Sequence, residues 1–237
     1  GFAFSAYEGV ATMPASIERL LIDGGVGRIE LALDWPVSAP QGIVYVGHPH
    51  PLYGGTLDNK VVVTIARTFA GLGWLAVRLN FRGVGASVGT HDEGSGETED
   101  FLHVIDAVPK LPTVNPRLPE QLPLALAGFS FGSFVAAKAA QTLAASKRAV
   151  KHMVLIGAAA GKWPMPNVAR ETLVIHGELD ETIPLADVLE WARPQDLPIV
   201  VIPGADHFFH RRLGLLKRLI SAHILGMPAI DAARQTD

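Results

Sequence analysis

Short apolar runs rich in β-branched residues alternate along the chain with longer segments whose apolar positions recur at helical spacing. Ile17–Ile22 and Gly27–Trp35 read as two strands around Asp23-Gly24-Gly25, a hairpin signal. Gly42–His48 is a continuous apolar run of strand length. The segment 59–73 follows as a helix with Val62, Ile65, Ala66 and Phe69 on one face and a glycine to close it. Trp74–Phe81 predicts the fourth strand. In 96–111, Phe101, Ile105 and Val108 fall in helical step behind a first turn of acids, where the helix dipole favours negative charge. Prolines between 112 and 123 break that helix.

The second half repeats the alternation. Leu122–Phe129 predicts a strand and 131–146 a helix whose alanines and glycine allow close approach to a sheet. Strands are expected at 152–160, 172–177 and 197–202, with a helix at 185–194 between the last two. An amphipathic helix is expected from Phe208 to Leu225. Two antiparallel starters followed by six strand–helix steps predict an α/β fold: a mostly parallel eight-stranded sheet with helices on both faces. One domain over 17–226 accounts for this pattern, leaving an N-terminal arm at 1–16 and a tail at 227–237. Only about ten residues, "GKWPMPNVARE", separate the sixth strand from the seventh, too few for a helical cap.

Composition narrows the function classes. Of 237 residues, 49% are hydrophobic and 18% charged, which fits a packed globular protein and not a disordered one. A formal net charge of −3 gives no electrostatic footprint for nucleic acid or an anionic membrane. The absence of cysteine removes disulfides, thiolate nucleophiles and cysteine metal sites, and the expected compartment is the reducing cytoplasm. No apolar run approaches the roughly 18 residues of a membrane span, and the opening stretch lacks the pattern of a signal peptide. Oligomeric state is not legible.

The chemistry centres on Gly128-Phe129-Ser130-Phe131-Gly132, a G-x-S-x-G placed where a strand gives way to a helix. A serine hydroxyl needs a base and a group to orient that base. In a parallel sheet both should follow strand carboxyl ends. Asp180 lies after the seventh strand, with Glu178 and Glu181 as rivals, and His207 lies after the eighth. The order Ser130, Asp180, His207 is that of α/β-hydrolases. Asp206 is expected to stabilise its own loop, and His210 to lie on the first turn of the last helix. His48 with His50, and His207 with His210, lack a third ligand at metal spacing, so no metal and no cofactor is expected. Arg82 is expected to pair with the acids of "DEGSGETED", the alternative being an acidic substrate group.

Over roughly Ser16 to Leu225 the chain resembles the α/β-hydrolases. More narrowly it is similar to small bacterial predicted serine esterases related to dienelactone hydrolases. "HPHPLYGGTLDNKVV", "NFRGVGASVGTHDEGSGETED", "GELDETIP" and "GADHFFH" carry that likeness. It departs from dienelactone hydrolases, whose nucleophile the resemblance would make a cysteine. The resemblance implies a small-molecule ester substrate, a Ser130–His207–Asp180 triad and an acyl-enzyme intermediate. An oxyanion hole is expected from Phe131 N–H and one N–H of the loop after the third strand. Pro49 and Pro51 have none to give. Matching His50-Pro51 to the family's His-Gly pair names Leu52, with Tyr53 the alternative. Tyr53, Trp163 and Phe208 are expected to line the substrate pocket. Without a cap the site should be open and favour short acyl chains. A thioesterase, peptidase or lactone hydrolase would use the same machinery, and a non-catalytic binding module would use the same fold.

Overall fold

In the middle of the chain, apolar residues point alternately to the two faces of one sheet, and each face is covered by helices. The computed structural model describes residues 16–234, with side-chain detail from 16 to 226. Strands β1 (Ser16–Asp23) and β2 (Arg28–Trp35) form an antiparallel hairpin, closed by Gly24 N–H to Gly27 O at 2.9 Å. The other strands are β3 (Ile43–Gly47), β4 (Leu75–Leu79), β5 (Leu124–Phe129), β6 (His152–Ile156), β7 (Leu173–Gly177) and β8 (Val200–Ile202). Their order in the sheet is β1-β2-β4-β3-β5-β6-β7-β8, with every pair beyond β2·β4 parallel.

Alternation assigns the two cores. Ile43 and Tyr45, Leu124 and Leu126, and Met153 and Leu155 join one cluster with Phe101 and Val104 of α2 (Ser95–Ala107), Val135 of α3 (Phe131–Ala145) and Val188 of α4 (Leu185–Ala192). Val44, Val46, Ala127, Val154 and Ile156 join the other with Val62, Ile65 and Phe69 of α1 (Lys60–Gly71) and Leu216 and Ile220 of α5 (Leu213–Arg234). Strands buried on both faces read as unbroken apolar runs, as these do.

One ion pair is built into this interior. Arg78 on β4 donates from Nε and an Nη to the two carboxylate oxygens of Asp34 on β2, at 2.7 and 3.2 Å. Its other Nη reaches Leu57 O at 2.8 Å. The pair thereby anchors the turn that enters α1.

Several boundaries differ from the sequence pattern for local reasons. β6 stops at Ile156 because Gly157 takes a left-handed φ of 56°. The last helix begins at Leu213 instead of Phe208, since Phe209 and Arg211 have φ of 54° and 61°, incompatible with a right-handed helix. His210 therefore sits in a turn before the helix, not on it. At the other end α5 continues through Gly226 and Pro228 to Arg234, so the expected tail is helical backbone as far as Arg234. Residues 235–237 lie outside the described residues, as does the expected arm except for Ser16, which opens β1.

Between β6 and β7 the chain forms no helix, only an isolated bridge between Ala160 and Trp163, so among the described residues no lid covers the carboxyl ends of the strands. Among the described residues no helix is long and apolar enough to cross a membrane.

Candidate active site

The turn from β5 to α3 places Ser130 at φ 56° and ψ −121°, a conformation that costs free energy for a residue with a Cβ. The surroundings hold it there. Ser130 N–H donates to Ile156 O at 2.9 Å, and its carbonyl accepts both Ser133 N–H at 2.9 Å and Ser133 Oγ–H at 2.6 Å. Close backbone approach explains the glycines around it. A Cβ on Gly132 would lie 2.2 Å from Gly47 O, and one on Gly128 would lie 2.2 Å from Gly132 O. Gly47 and Gly128 are themselves partners in the β3–β5 register. Three strand and helix ends can meet here only without side chains.

His207, on the loop after β8, brings Nε2 to 3.0 Å from Ser130 Oγ. Its Nδ1 lies 2.6 Å from Asp180 Oδ2, on the loop after β7. A carboxylate accepts, so Nδ1 carries the hydrogen and Nε2 is free to accept from the serine hydroxyl. Asp180 Oδ1 accepts the N–H groups of Thr182 and Ile183 at 2.9 and 2.7 Å, which aims Oδ2 at the imidazole. Phe129 and Phe208 flank the His207 ring at 5.0 Å each, and Gly157 passes beneath it. Ser130, Asp180 and His207 are all buried. A hydroxyl, an imidazole and a carboxylate in this chain can move a proton from the oxygen as it attacks.

The rivals go elsewhere. Glu178 accepts Gly204 N–H at 2.8 Å, and Glu181 is exposed. Asp206 accepts His210 N–H at 2.9 Å and bonds the His210 ring, so it closes its own turn. Arg82 forms a two-pronged pair with Asp100 at 2.8 and 2.9 Å and is not turned to the cleft.

The loop after β3 engages both of the N–H groups expected to face an oxyanion. Leu52 N–H donates to His50 Nδ1 at 3.1 Å, and Tyr53 N–H to His50 O at 3.1 Å. Both expected donors are thus spent inside a short 3-10 turn over Pro51–Tyr53. The N–H of His50 itself has no acceptor among the described residues, nor has that of Phe131 at the first position of α3. His48 precedes them fully buried, donating from Nδ1 to Pro49 O at 2.6 Å and accepting Phe81 N–H on Nε2 at 3.0 Å. Burial pushes its pKa down to about 4. Burial, and then the neighbouring His91, lower that of His50.

Two lobes flank Ser130. One, about 290 Å³, is lined by Pro49, Gly55, Asn59, His207 and Phe208; the other, about 270 Å³, by Phe131, Trp163 and Ile183. His50, Tyr53, Lys162 and Thr182 border both. All three expected pocket residues line the cleft; Tyr53 is 86% exposed at its mouth. A larger cavity of about 730 Å³, bordered by Ala144, Lys147, Val150, Met153 and Thr172, lies at the amino ends of β6 and β7 and touches none of these groups. Among the described residues no three His, Asp or Glu side chains cluster as metal ligands.

The sequence reading does not weigh the N–H of His50 and misses Ser133 as the support of the elbow.

Known proteins resemble this chain in sequence and fold. A thioesterase domain model matches residues 74–174. A lidless α/β serine hydrolase of Xanthomonas campestris is 34% identical, with 89% of this chain and 94% of that one covered and a TM-score of 0.78. An α/β serine hydrolase homologue from Coxiella burnetii is 36% identical over 86% and 95% of the two chains, with a TM-score of 0.72. An uncharacterised protein of Rickettsia prowazekii is 29% identical over 220 residues, 87% of this chain and 88% of its own.

Proposed function

The chain belongs to the α/β-hydrolase superfamily, and from that premise we propose that it is a serine carboxylesterase acting on small, short-acyl esters. The observation that carries this reading is the continuous chain Ser130 Oγ, His207, Asp180, at 3.0 and 2.6 Å, opening on a cleft that no lid covers among the described residues.

Ser130 Oγ attacks the ester carbonyl carbon while its proton passes to His207 Nε2. Asp180 holds the tautomer and stabilises the imidazolium. The negative oxygen that develops is received by the N–H groups of Phe131 and His50, each such donor being worth about 3 kcal/mol in the transition state. His207 returns the proton to the leaving alkoxide as the C–O bond breaks, leaving acyl-Ser130. Water then attacks the acyl carbon with His207 again as base, releasing the acid and free serine. Two shallow lobes of under 300 Å³ each suit a small acyl group and a small alcohol.

The test is labelling with a fluorophosphonate, together with turnover of p-nitrophenyl esters from acetate to laurate. Labelling lost in Ser130→Ala, with the fastest turnover at short acyl chains, is expected. Unlabelled wild type, or labelling that survives the substitution, would sink the reading. A thioester substrate is the second reading, favoured by the thioesterase domain match across the elbow. Comparing kcat/KM for acetyl-CoA and a short oxygen ester separates the two.

A further inference from the structure

His176, on β7, is completely buried, and the chemistry described above does not use it. Its Nε2 lies 2.7 Å from Ile183 O and 3.4 Å from Asp180 Oδ2, the oxygen that also receives His207 Nδ1–H. A carbonyl only accepts, so Nε2 carries the ring hydrogen. Nδ1 is then the bare nitrogen, buried without a hydrogen-bond partner among the described residues. We infer that His176 is a positioning residue: its Nε2–H pins the acid turn Asp180–Ile183 to the sheet and sets how strongly Asp180 acts on His207.

Two consequences of the geometry support this. The bond to Ile183 O fixes the residue whose own N–H donates to Asp180 Oδ1, so it fixes the direction of the carboxylate. The contact at 3.4 Å is too long for a full hydrogen bond, but it presents the positive end of an N–H dipole to Oδ2 in a site without water-like screening. That dipole opposes part of the carboxylate charge felt by His207. A protonated His176 would instead compete with His207 for the same oxygen. Burial lowers its pKa, which keeps the ring neutral; the ionisable groups facing it are Asp180, from the loop after β7, and His207, from the loop after β8. An apolar side chain would fill this space without either effect, so packing alone does not call for an imidazole.

The inference rests on the proposed roles of Ser130, His207 and Asp180, and the experiment reads the two separately. Full-length wild type, Ser130→Ala, His176→Leu and His176→Gln are compared on one short p-nitrophenyl ester across pH 5 to 9. His176→Leu should lower kcat about tenfold, the rate equivalent of one lost hydrogen bond, with little change in KM. The acid limb of its kcat/KM profile should move to higher pH, because His207 then faces an undiluted carboxylate. His176→Gln, which offers an amide N–H near the position of Nε2, should restore most of kcat and return the limb. A wild-type rate and limb in His176→Leu, or a loss that glutamine does not restore and that leaves the limb in place, would overturn the inference. Full activity in Ser130→Ala would instead remove the reading beneath it. Nitrogen NMR of the wild-type histidines guards against a leucine variant that fails to fold. A neutral Nε2–H tautomer for His176 at pH 7 is expected, and an imidazolium or the Nδ1–H tautomer would overturn the inference.

Discussion

Ser133 Oγ donates to the carbonyl of Ser130 at 2.6 Å and accepts Ala159 N–H at 3.0 Å, so one buried hydroxyl ties the elbow to the chain leaving β6. The strained backbone of Ser130 is held by this pair of bonds together with the close approach that the glycines allow. Ser133→Ala should therefore cost about 1–3 kcal/mol of stability, because it leaves the buried Ala159 N–H without a partner. It should also lower kcat by more than it changes KM, since the elbow relaxes while the cleft walls stay. Urea unfolding and steady-state ester kinetics on the same preparation check both.

Why some of this was legible from residues and some was not has a physical basis. Ser130, Asp180 and His207 each follow a strand carboxyl end, and a parallel sheet gathers those ends at one rim, so motif and strand order together bring them into view. The glycines at 128 and 132 are visible for a related reason: backbone packed at van der Waals distance excludes every other residue type. Which N–H of the loop after β3 stays without an acceptor was not legible, because a backbone N–H leaves no mark on residue identity. Which N–H is free depends on a proline-stiffened turn whose dihedral angles only the fold reveals. Ser133 and His176 look, in sequence, like any small helical residue and any strand residue. Their roles come from partners 26 and 7 residues away.

His50 organises its loop through three groups at once. Its Nδ1 holds Leu52 N–H, its carbonyl takes the N–H groups of Tyr53 and Gly55, and its own N–H has no acceptor among the described residues. Asparagine is a strong cap whose side-chain oxygen can replace Nδ1 as acceptor, and alanine has none. His50→Ala is expected to reduce kcat/KM about tenfold, and His50→Asn to recover a large part of that loss. Equal activity in the two variants would show that the ring, not the acceptor, matters. Initial-rate measurements with a neutral ester decide it.

The Arg78–Asp34 pair sits wholly in the interior, with the guanidinium also fixing Leu57 O. Removing one partner strands the other as an uncompensated buried charge. Arg78→Met should therefore destabilise the fold by about 3–5 kcal/mol, whereas the double change Arg78→Met with Asp34→Val should recover most of this. Chemical denaturation of wild type and the two variants reads the difference directly. If the single and double variants were equally unstable, the anchoring of Leu57, not the charge, would be the larger contribution.

Acid should loosen the fold through His48. The ring is needed in its neutral form, because Nε2 must stay bare to accept Phe81 N–H while Nδ1–H donates to Pro49 O. Burial lowers its pKa from 6.5 to about 4, so the unfolded chain binds the proton first as pH falls. For a depressed pKa the stabilisation is present above 6.5 and is lost progressively as pH drops toward 4, amounting to about 3 kcal/mol over that window. Burial lowers His50, His176 and His223 in the same direction, which adds to the slope. Urea unfolding at pH 7, 5.5 and 4 should show the decline. His48→Gln, which keeps a donor and an acceptor but cannot titrate, should flatten it while lowering stability at pH 7 only modestly. An unchanged slope in that variant would place the acid sensitivity on the other buried imidazoles.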